Sequence, residues 1–247
     1  MLVNATTKTV LILTCCGFGF AIDAKASNLN GPGHCMPMRV WHAPQVHCVD
    51  WNIGPTSREL TVSLHRRAGQ GGLQLVQEFR LYTHYLRARV EWLPLFDARK
   101  RVLSTLSEGQ TGSNVSQTMW TLVGFAEGKC KPLLVESLDA QTGISSSGID
   151  LKVFRHWVRD GNVPRIILTY RLTQRERQRA RSYRWRDTLA WDSGRQQFTL
   201  RASRGDPHEV RSRIQAYRQK MESLTCESLR KLGADADFGL ATILEDE

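Results

Sequence analysis

From Glu59 onward, apolar and polar side chains alternate along the chain. Leu60, Val62 and Leu64 share one face of an extended segment, with Thr61, Ser63 and His65 on the other. Leu73, Leu75, Phe79 and Leu81 then alternate with Gln74, Glu78 and Arg80, and Leu86, Ala88, Val90 and Trp92 with Arg87, Arg89 and Glu91. A period of two marks half-buried antiparallel strands. Met119 to Phe125 and Pro132 to Leu138 read as two more strands around a turn at Glu127-Gly128-Lys129. After Asp150 four strands follow in succession, over 151–159, 164–172, 181–192 and 196–203. Asp160-Gly161-Asn162 and Asp192-Ser193-Gly194 supply two of the turns. Thr173 to Ala180 reads as a longer charged connection.

Elsewhere the pattern is weaker. Residues 27–57 carry Gly31-Pro32-Gly33, Pro37, Pro44 and Gly54-Pro55 and read as irregular. A short helix is expected over Asp97 to Ser107, and a small-residue loop over Gln141 to Gly148.

The period changes to 3.6 near the C-terminus. Asp206 suits an N-cap, Pro207 the first helical position, and Glu209 a capping box. Val210, Ile214, Tyr217, Met221, Leu224 and Ser228 form one stripe, and Gly233 is the natural stop. Cys226 falls off that stripe. The expected fold is therefore mainly β, of β-rich α+β type. It is an antiparallel sandwich or incomplete barrel with a C-terminal helix packed on the sheet. One domain spans 27–233, and 234–247 form a loosely held acidic tail.

The N-terminus adds a compartment. Thirteen uncharged residues, Val10 to Ile22, follow a stretch whose only charge is Lys8, and Ala24-Lys25-Ala26 closes the pattern. That order is the signature of a secretory signal peptide over 1–26, with a periplasmic or secreted destination. Thirteen residues of helix reach only about 20 Å, too short for a bilayer core. No later segment is apolar enough to span, so the processed chain is expected not to be an integral membrane protein. Cys15 and Cys16 leave with the signal. The remaining four, Cys35, Cys48, Cys130 and Cys226, are even in number and suit two disulfides in an oxidising compartment. Proximity favours Cys35–Cys48 and Cys130–Cys226.

Removal of the signal leaves 32 basic and 23 acidic side chains, a net charge of +9. A basic exported chain favours an anionic envelope component or an acidic protein partner over nucleic acid. Alternation in the C-terminal strands sends Arg165, Arg171, Arg184, Arg186 and Arg201 to one outer face, beside the Arg175, Arg177, Arg179 and Arg181 connection. Arginine forks bind carboxylate and phosphate oxygens bidentately. Charged outer faces are also the norm for antiparallel sheets, so the density of arginine carries the binding interpretation.

Other chemistry is thinner. His34, Cys35, Met36, Met38, His42, His47 and Cys48 are ligand types that suit Cu(I), but at no fixed spacing, and a Cys35–Cys48 disulfide would consume the thiols. Gly143 to Gly148 is serine-rich without being a nucleophile elbow. Glu127, Glu136 and Asp139 are the acids considered for glycan hydrolysis. Asn114-Val115-Ser116 matches a glycosylation acceptor. No Walker loop, dinucleotide fingerprint or H-E-x-x-H occurs. The leading expectation is a non-enzymatic binding or envelope-accessory protein, with no cofactor. A cell-envelope hydrolase is the alternative, and copper binding the weaker one.

Overall fold

The computed structural model describes residues 36–39, 46–53, 59–68, 72–82, 88–93, 102–108, 115–126, 129–144, 147–160, 163–176, 179–205 and 208–231. The first four strands are β1 (Met36–Arg39), β2 (Val46–Ile53), β3 (Glu59–Arg67) and β4 (Leu73–Tyr82). They form one antiparallel sheet in that order. Eight more follow: β5 (Ala88–Leu93), β6 (Val102–Glu108), β7 (Val115–Ala126), β8 (Lys129–Ile144), β9 (Ser147–Asp160), β10 (Val163–Glu176), β11 (Arg179–Asp192) and β12 (Gln197–Arg204). These make a second sheet in which each strand pairs with its sequence neighbour; among the described residues β5 and β12 are its edges and no barrel closes.

Clean alternation became strand where one face is buried. In β3, Leu60, Val62 and Leu64 are buried and the residues between them are half-exposed. β4 meets β6 and β8 of the larger sheet, with the Phe79 and Phe125 rings 6.3 Å apart. The first strand of the larger sheet to lose alternation is β6, and β7 follows: every residue from Met119 to Phe125 is buried. Those residues are covered on both faces of the strand. The larger sheet curls enough for β12 to approach β8.

One α-helix occurs among the described residues: α1 (Arg211–Glu222) lies against β8 and buries Ile214, Tyr217 and Met221. The expected mainly β fold with a C-terminal helix on the sheet is thus what forms.

Several local expectations are corrected. Residues 102–107, expected helical, lie in β6, because Val102 to Thr105 are all buried and the strand shows no period. The expected loop at 141–148 is the end of β8 and the start of β9, where Gly143 faces Gly148. Gly143 has φ +81°, and a β-carbon on either glycine would run into the backbone opposite, so the small residues serve a close turn. The charged connection 173–180 is mostly ladder, with Glu176 opposite Arg179. Its side chains are largely exposed, so no apolar pattern advertised it. Residues 27–57 contain β1 and β2, and Pro37 is tolerated because β1 is an edge strand.

The helix also ends earlier than expected. It stops at Glu222, caps at Ser223, and a separate 3₁₀ turn covers Ser228–Lys231. Cys226 therefore leaves the helix and reaches Cys130 in a disulfide, with Cα atoms 6.0 Å apart. The 1–26 segment, Cys35, Asn114, the Asp206-Pro207 cap, Gly233 and the 234–247 tail lie outside the described residues.

Candidate functional site

Strand β10 turns Ile166, Leu168, Tyr170 and Leu172 fully inward, which leaves Arg165 and Arg171 outward and exposed. Strand β11 likewise buries Trp185, Asp187 and Leu189 and presents Arg184 and Arg186. Register then decides which charges meet. Arg171 stands directly opposite Arg184 on one side and Lys152 of β9 on the other. The next row holds Phe154, Thr169, Arg186 and Arg204. Strands lie about 4.8 Å apart and rows about 6.8 Å apart, so five cations share two rows. No ion pair is found for Arg171, Arg184, Arg186 or Arg204 among the described residues.

The other two predicted arginines stand apart. Arg165 is six residues along β10 from Arg171, about 20 Å away. Arg201 falls at a bulge, where Thr188 pairs with Ala202 and Leu189 with Leu200. It has no ladder partner, and its charge acts on Asp192, near the β11–β12 turn. Past Lys152 the face turns acidic, in a shallow groove lined by Glu108, Asp139 and Asp150. Burial pushes the Asp139 carboxyl up, with Lys152 opposing.

A second constellation escaped the sequence reading. Arg218 of α1 reaches into the core, its side chain 10 % exposed. Its Nη1 donates to Glu136 Oε2 at 3.0 Å, while Nε and Nη2 donate to Asp187 Oδ2 at 3.2 and 2.6 Å. Nη2 also contacts the Tyr170 hydroxyl. Tyr170 and Tyr217 donate to the two Glu136 oxygens at 3.0 and 3.3 Å, and Ser203 donates to Asp187 at 2.6 Å. Burial raises the Glu136 carboxyl, with Arg218 and the Tyr170 hydrogen bond opposing. Burial works against the Arg218 charge, but Tyr170, Glu136 and Asp187 outweigh it and hold the guanidinium protonated.

No family model matches the chain, and no curated protein sequence matches it.

The residues must therefore speak for themselves. Glu136 is buried, whereas Asp139 sits on the outer face opposite Lys152, so the expected carboxylates do not converge. Glu127 lies outside the described residues. The signal that would have found the network is an acid at an inward position: Asp187 lies between Trp185 and Leu189, and Glu136 follows Leu133-Leu134-Val135. Five elements, β8, β10, β11, β12 and α1, contribute to it. Its buried carboxylates and hydroxyls orient the helix on the sheet, while Arg218 also borders a small cavity beside Leu189, Phe198 and Met221. For the copper reading, Met38 and His47 are cross-strand partners, while His34, Cys35 and His42 lie outside the described residues. No metal-holding group of three His, Cys, Asp or Glu side chains occurs among the described residues. No described helix is long and apolar enough to cross a membrane.

Proposed function

We propose that the chain is an exported, periplasmic or secreted, binding or envelope-accessory protein whose outer sheet face takes an anionic ligand or partner. One observation carries this reading: Lys152, Arg171 and Arg184 stand side by side on three adjacent strands. Like charges placed directly opposite each other weaken a sheet. A bound polyanion neutralises that repulsion, and paired guanidinium forks fit carboxylate or phosphate oxygens. The N-terminal pattern at 1–26 supports export, and the net charge of +9 that remains without that segment supports an acidic partner.

The test is retention on immobilised heparin across a salt gradient, comparing the wild type with the Arg171→Glu/Arg184→Glu double variant. The wild type should elute at elevated salt, and the double variant should lose at least tenfold in affinity. Equal elution of a correctly folded double variant would remove the proposal.

A further inference from the structure

An exposed aromatic ring stands among the basic rows, and half-buried apolar side chains follow it on the same face. Phe154 is 51 % exposed and lies two residues from Lys152 on β9. In the following rows His156 pairs with Ile167, and Val158 with Arg165, which itself pairs with Ala190. Ile167, Val158 and Ala190 are half-buried and face the same way as Phe154. The sheet thus presents a cationic band of Lys152, Arg171, Arg184, Arg186 and Arg204 with Phe154 in its second row, then two mixed rows in which Ile167 lies between His156 and Thr188, and Arg165 between Val158 and Ala190. The Arg171 guanidinium lies 4.9 Å from the centre of the Phe154 ring, which ties cation and aromatic into one feature.

We infer that this face docks on an anionic lipid surface, with Phe154 as the apolar anchor among headgroup-binding cations; the inference rests on the basic-face reading proposed above. A sheet face is extended and shallow, which suits an array of headgroups better than the enclosure of one small molecule. Cations near an acidic leaflet each strengthen attachment by about fivefold. A partly exposed aromatic ring adds the apolar contact that a peripheral protein buries at the headgroup boundary. A sugar polyanion is met less well, because Arg171 already occupies a face of the ring on which a sugar would stack. Insertion of the ring edge needs no such face.

The experiment is sedimentation of the protein with phosphatidylcholine vesicles, with and without phosphatidylglycerol, alongside the heparin column. Wild type should pellet only with the phosphatidylglycerol vesicles and release as salt rises. Phe154→Ala should weaken vesicle binding by about tenfold and leave heparin retention unchanged. Phe154→Trp should keep vesicle binding and blue-shift its fluorescence when vesicles are added. Heparin retention without any vesicle binding overturns the lipid inference and leaves the proposed function standing. Vesicle binding equal in wild type and Phe154→Ala overturns the anchor role. Failure on both supports sinks both readings.

Discussion

Glu136 is a fully buried acid, and its protonation bears on the fold. Two buried carboxylates, Glu136 and Asp187, share one guanidinium. Burial raises the Glu136 carboxyl above its ordinary value of 4.5, so folding favours its protonated form. Such a group contributes stability below its unfolded pKa and loses that contribution as pH climbs through the folded one. Tyr170 and Tyr217, whose hydroxyls burial pushes well above the usual tyrosine value, remain donors throughout. Wild type should therefore lose stability relative to Glu136→Gln as pH rises from about 4.5, read as the difference in urea midpoints across a pH series. A difference that stays flat would show that folding leaves the Glu136 pKa unshifted.

At the scale of elements, the same network fastens α1 to three strands of the larger sheet. Removing a buried cation strands two carboxylates, so Arg218→Met should cost about 3–5 kcal/mol. Adding Glu136→Gln and Asp187→Asn should restore much of it, as measured by chemical denaturation. If the triple variant is no better than the single one, the loss belongs to packing and not to charge. The disulfide fixes the segment after α1 to β8 across a sequence separation of 96 residues. Chain entropy assigns a loop of that length about 4.7 kcal/mol. Cys226→Ser should unfold at lower urea by a comparable free energy, and reductant should bring wild type to the same midpoint. What the sequence revealed tracks burial geometry. Strands with one wet face, such as β3 and β10, announced themselves by alternation. β6 did not, because Val102 to Thr105 are all buried, and β7, read as a strand over Met119 to Phe125, shows no alternation there for the same reason; the outer reaches of β10 and β11 did not, because their side chains are largely exposed. The helix stripe was legible in Ile214, Tyr217 and Met221, but not the point where the chain turns away towards Cys226.

For the molecule as a whole, the outward direction of the arginines was readable from alternation, but their grouping was not. Grouping depends on register, and register depends on turns and bulges that act at a distance from the residues they align. The bulge at Thr188/Leu189 separates Arg201 from the others, and no local sequence feature marks it. The buried ion cluster was hidden for a related reason: its members come from residues 136, 170, 187, 217 and 218, and only the closed fold makes them neighbours. The strict succession of β5 to β12 in the larger sheet has a consequence for the order in which that closure happens. Each strand's partner is the one that left the ribosome just before it, so pairing proceeds through short loops with little entropy to overcome. Glu136 and Asp187, however, are made before their cation. The interior cannot be neutralised until residue 218 arrives, so the helix completes the core as well as covering it.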